Sequence, residues 1–94
     1  MSPTKKYNDA RKAYRVSLRD KLAKNYQREH ESKTAVDRRW LHGFMAAGYH
    51  SGLITLRDLK IECLSAYRSE FRKRMTKSQE SQLERRLTKL CDQG

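Results

Sequence analysis

Apolar residues in this chain recur at intervals of four and seven and nowhere alternate with polar ones, so the sequence carries stripes for helices and none for strands. Leu59, Cys63, Tyr67, Phe71 and Met75 follow at strict i+4 spacing. Tyr7, Tyr14, Leu18, Leu22 and Tyr26 recur at four or seven. Such intervals place side chains on one slowly precessing helical face. Pro3 is the sole proline and only four glycines occur, so little interrupts the stripes. The pattern predicts an all-α fold of three to four helices in one domain over residues 1–94, with a compact central helix pair and a long basic N-terminal helix.

The basic first segment, 1–31, is expected to be helical from about Thr4 to Glu31, since Ala10, Ala13 and Ala23 favour helix and no breaker falls inside. A second helix is expected over 33–47, with Ser32 as its N-cap and Asp37 near the positive end of its dipole. Val36, Trp40, Leu41, Phe44, Met45 and Ala47 give it a broad apolar face, which makes it the predicted core helix. Gly48 is expected in the left-handed position that ends it, with Gly52 a second turn signal. Thr55 and Asp58 read as the cap of a third helix over 55–75. The polar stretch Thr76 to Ser81 predicts a break, followed by a short helix over 78–91. Leu83, Leu87 and Leu90 line one face of that helix, which must pack on the first helix or on a second copy, so a homodimer is left open.

Charge divides the same chain differently. The formal net charge is +11, yet residues Met1 to Lys33 balance at +6, Thr34 to Tyr67 at +1, Arg68 to Lys77 at +4 and Ser78 to Gly94 at zero. A nearly neutral apolar centre thus carries two cationic arms, whose natural partner is a polyanion. Lys5, Lys6, Arg11, Lys12, Arg15 and Arg19 on the first arm, and Arg68, Arg72, Lys73 and Arg74 on the second, are the candidate contacts. The expected partner is DNA or RNA, held mainly through phosphates and without strong sequence specificity. An acidic protein surface is the alternative. If both arms face one way they form a clamp; if they face apart they bridge two strands or two molecules.

Catalytic chemistry has no foothold in the sequence. There is no glycine-rich phosphate loop, HExxH or GxSxG, and no Cys or His pair at zinc-ligand spacing, so no enzyme activity, catalytic residue, metal or cofactor is expected. Cys63 and Cys91 read as buried thiols. No apolar run approaches the roughly 20 residues of a membrane span, and no signal-peptide core is visible, which predicts a cytoplasmic protein.

Two helices around a glycine-containing turn invite comparison with a helix-turn-helix, but the expected connection of Gly48 to Ile54 is longer than that motif uses. Trp40, Gly43, Phe44, Ala47, Gly52, Leu53, Ile54 and Thr55 nevertheless resemble a helix-turn-helix-like pair found in small proteins of phages and plasmids. The resemblance covers about a quarter of the chain. It implies an accessory protein of a mobile element that acts on nucleic acid, or that binds and modulates a host nucleic-acid-processing or defence complex; it assigns no individual residue.

Overall fold

One uninterrupted helix, α1 (Pro3–Glu31), runs most of the length of the molecule, and the other three helices are laid against it or against each other: α2 (Arg39–His50), α3 (Leu56–Phe71) and α4 (Lys77–Asp92). The computed structural model describes residues 3–32 and 36–92. Its extents are 48 × 25 × 23 Å and its radius of gyration is 14.0 Å, above the about 12 Å of a spherical domain of this length. The domain is a short rod.

Helix directions follow from which residues meet. Going up α1, Arg15 pairs with Asp58 and Glu62, Tyr26 packs on Tyr67 and Phe71, and His30 packs on Phe71. The numbers rise together, so α1 and α3 are parallel. With α2 they run opposite: Tyr7 donates to the Gly52 carbonyl, Tyr14 donates to the Phe44 carbonyl at 2.9 Å, and Glu29 pairs with Arg38. Helix α4 returns antiparallel to α3, joined by Lys60 to Glu84 at one end and Gln79 to Tyr67 at the other.

The stripe on α1 supplies half the core. Tyr14, Leu18, Leu22 and Tyr26 are buried, and Leu18 is fully so, against Leu41, Met45, Ile54, Leu59 and Cys63. Tyr7, the first member of that stripe, remains 46% exposed and is held at the end of the rod by its hydroxyl. Helix α4 covers its own apolar face on α2 and α3: Leu83, Leu87 and Cys91 are buried there and Leu90 is half-buried. The face that a second copy could have covered is closed by the same chain.

Several boundaries depart from the sequence pattern. Helix α2 begins at Arg39, not at 33; residues 33–35 lie outside the described residues, and Val36 to Arg38 are not helical. Ser32 closes α1, its N–H bonding to the Arg28 carbonyl at 2.8 Å, and Asp37 caps α2 by accepting the Arg39 N–H at 2.9 Å. Trp40 is not core. It lies on the outer side of α2, 42% exposed, while Leu41 and Met45 face inward. Gly48 does not end α2 but sits buried inside it, because the Tyr14 ring lies against its backbone where a Cβ would fall. The positive φ belongs to Gly52, at 73° in the turn.

Thr55 caps α3 as expected, accepting the Asp58 N–H at 3.1 Å. That helix stops at Phe71 rather than 75, because Arg72 adopts the left-handed conformation (φ 57°, ψ 31°) with its N–H on the Arg68 carbonyl. Met75 consequently belongs to the turn. Thr76 and Gln79 then cap α4 reciprocally, Gln79 N–H to Thr76 Oγ1 at 3.1 Å and Thr76 N–H to Gln79 Oε1 at 2.9 Å.

The two glycines of α2 should respond in opposite directions. Gly48→Ala forces a methyl into the Tyr14 ring and should destabilise by about 1–3 kcal/mol, the usual range for overpacking. Gly43 has open space where its Cβ would be, so Gly43→Ala should be neutral or stabilise by up to about 1 kcal/mol. Chemical denaturation of the two variants checks both signs.

Candidate nucleic-acid interface

The parallel alignment of α1 and α3 decides where the two cationic arms lie. Tyr7 is level with the turn before α3, whereas His30 is level with the end of α3, and the 23 residues between them span about 35 Å of helix. Lys5, Lys6, Arg11 and Lys12 are therefore at one end of the rod. Arg68, Arg72, Lys73 and Arg74 are at the other. The arms do not converge into a clamp around one short anion.

Arg15 and Arg19, expected among the contacts, face a carboxylate of their own chain. Glu62 is 5% exposed and accepts four hydrogen bonds: from Arg15 Nε and Nη2 at 3.2 and 2.8 Å, and from Arg19 Nε and Nη2 at 2.8 and 3.0 Å. Arg15 also reaches Asp58 at 3.5 Å. Two guanidinium forks close on one buried acid because α1 places them one turn apart on the same face, both reaching Oε1 and Arg19 reaching Oε2 as well. The hydrogen bond from Arg19, with help from Arg15, holds the Glu62 carboxyl below its ordinary range despite burial. Both arginines position helices, although the Arg19 side chain stays largely exposed at its outer edge.

Most of the remaining acids are placed in the same manner. Asp20 pairs with Lys24, Glu29 with Arg38, Asp37 with Arg39, and Glu80 and Glu84 both with Lys60. Asp37 is held at about 2 by its hydrogen bonds from Arg39. Against this pairing, Lys6, Lys12, Arg68, Arg72, Lys73 and Arg74 are exposed and have no acidic partner among the described residues. Arg11 is half-buried with its guanidinium 5.7 Å from the Tyr7 ring centre, and Lys5 is exposed. Of the ten expected contact residues, eight are thus at the two ends and two are in the ionic knot between them.

The aromatic and sulfur groups answer the other expectations. Burial pushes Tyr14 up to about 12 and Tyr26 higher still, so both phenols stay protonated and pack as core rather than as stacking surface. Burial likewise pushes the Cys63 thiol up to about 12, which removes its nucleophilic form near neutral pH. His42 is lowered by burial and by Arg86 and Arg38. Among the described residues no three His, Cys, Asp or Glu side chains gather as a metal-binding group, and no described helix is long and apolar enough to cross a membrane. The surface feature that periodicity concealed is Trp40, whose i+4 partner Phe44 is half-buried while Trp40 itself is turned outward. The chain matches no protein-family model, no curated protein and no solved structure.

The Glu62 knot makes two expected signs. Because its carboxyl sits below the ordinary value of 4.5, it contributes stability at neutral pH that is lost as pH falls below about 4.5 toward the folded value. Glu62→Gln should therefore flatten the acid limb of the melting-temperature profile relative to the parent. Replacing both Arg15 and Arg19 by alanine strands the buried carboxylate and should cost about 3 kcal/mol, more than Glu62→Gln, which leaves two arginines able to reach water. Thermal melts between pH 3 and 7 measure both.

Proposed function

We propose that this protein binds nucleic acid, DNA or RNA, through phosphate contacts made by the two basic ends of the rod, with little dependence on base sequence. The observation that carries this reading is the asymmetry of ion pairing. Most of the acids are occupied by internal partners, while Lys6, Lys12, Arg68, Arg72, Lys73 and Arg74 at the ends are left to solvent. An ordinary solvated face mixes signs evenly, whereas here, among the described residues, the cations without an acidic partner outnumber the acids left outside an ion pair, such as Asp9.

Backbone geometry at Arg72 supports the same reading. Left-handed φ is the place for glycine, and an L side chain there costs roughly 1 kcal/mol. The chain holds a guanidinium at that position, with Lys73 and Arg74 beside it, in a turn that needs no cation to close. Separation of the ends favours an extended partner: about 35 Å is close to the 34 Å of one turn of duplex DNA, a length one phosphate group cannot cover.

Arg72→Gly separates binding from folding, since it should raise stability by about 0.5–1 kcal/mol and weaken nucleic-acid binding. On duplex DNA each phosphate-binding side chain removed from the ends, whether Lys6, Lys12, Arg72 or Lys73 to Ala, should reduce the slope of log K against log salt by about 0.9. Fluorescence anisotropy at several salt concentrations reads both. Affinity indifferent to salt, or no binding at low salt, would refute the proposal; a nuclease-resistant complex with an acidic protein would replace it.

A further inference from the structure

Trp40 has no structural task that accounts for its position. It is the single tryptophan of the chain, it stacks on no other ring among the described residues, and 42% of it faces water. Its surroundings are specific. One turn along α2, Phe44 lies flat on Tyr14, centroids 4.7 Å apart and planes 9° from parallel, and the Lys21 ammonium sits 4.6 Å from the Phe44 ring centre. Gly43, three residues from Trp40, has open space where a side chain would stand, and Ala47 continues that smooth exposed strip.

The neighbouring flank of α1 is cationic. Lys21, Lys24 and Arg28 follow at i, i+3 and i+7, on one side of α1 and over about 10 Å. Because α2 runs antiparallel to α1, with Lys21 at Phe44 and Glu29 at Arg38, this stripe passes beside Phe44 and Trp40. Lys24 is paired with Asp20, whereas Arg28 is exposed with no acidic partner among the described residues. An outward indole above a smooth strip, bordered by cations, is the arrangement on which an unpaired base stacks while its phosphates meet Lys or Arg. Duplex bases are already stacked on one another and offer no face to an indole. A second copy of this chain would bring another +11 against the same cations.

Resting on the polyanion reading above, we propose that Trp40 is a stacking platform for an unpaired base, with Lys21 and Arg28 taking the flanking phosphates, so that single-stranded nucleic acid is preferred where the two basic ends alone would not discriminate.

As the sole tryptophan, Trp40 reports its own occupancy. The full chain titrated at low salt with an oligothymidylate should show tryptophan quenching, while a blunt duplex of equal length, followed by anisotropy of a label on the DNA, should bind without it. Trp40→Ala should weaken oligothymidylate binding about 5- to 100-fold, the range for losing one base–aromatic stack, and leave duplex affinity unchanged. Trp40→Phe, which keeps an aromatic face, should retain part of the preference and serves as the test if the alanine variant melts early. Binding of both nucleic acids with unaltered tryptophan emission, equal losses on both in either variant, or quenching that tracks protein concentration alone and signals a second copy, overturns the inference while the phosphate reading stands. Failure of both nucleic acids to bind at all removes the phosphate reading itself.

Discussion

Two arginines one turn apart on α1 closing on the buried Glu62 of α3 fix how the rod is assembled. Apolar burial supplies the attraction between these helices, with Leu18, Leu22, Leu59 and Cys63 almost wholly enclosed. Apolar contact is more tolerant of sliding than a buried charge, however, because hydrophobic residues of similar volume exchange with small loss. The carboxylate is not indifferent. A slip of one turn that sets Ala23 beside Arg19 would leave Glu62 one fork in place of two and its buried charge half-paired, whereas a slip the other way would bring Arg11 in beside Arg15. The ionic knot therefore opposes a slip in one direction and apolar fit must hold the other, and register is what places Tyr26 and His30 on Phe71 and so carries the second cationic arm to the far end of the rod.

The same economy of acids shapes the surface. A chain with twice as many basic as acidic side chains could have scattered its carboxylates to dilute the field. Instead several sit at joints: Glu29 on Arg38 ties α1 to the start of α2, and Glu80 and Glu84 on Lys60 tie α4 to α3. Exposed pairs of this kind add little stability one by one. Their larger effect is subtractive, since each acid held by a joint cation is one not paired with the exposed lysines and arginines.

How much of this the sequence discloses depends on whether a residue's role is local. Thr55 could be placed as a cap because the partner N–H lies three residues away, and the four helices follow from spacing that repeats within a few turns. Gly48 could not be placed by the same means. Its role is set by Tyr14, 34 positions earlier, and a buried glycine within a helix looks in sequence like one that ends it. Arg15 and Arg19 share the repeat of Lys5 and Lys12, and nothing local tells a phosphate contact from a fork on Glu62. Trp40 misleads for a related reason: periodicity places it with Phe44 and Leu41, but a helix packed on two neighbours has a rim, and rim positions are chosen by angles of a few tens of degrees that spacing does not resolve.

The two basic ends are not equivalent in what their charge does for the fold. Arg68 lies in the last turn of α3 and Arg28 in the last turn of α1, where a cation meets the negative pole of its helix and gains a few tenths of a kcal/mol. Part of the charge at that end has a structural reason. At the opposite end Lys6 stands in the first turn of α1, against the positive pole, in a turn that holds no acidic residue. The antiparallel α2 and α4 offset the summed field of the bundle, but the pole of a helix acts within its own first turn, so the opposition there is not relieved from a distance. A cation that a fold keeps where its own electrostatics disfavour it is consistent with the phosphate contacts proposed above, since an incoming phosphate would be drawn by the ammonium and the helix pole together.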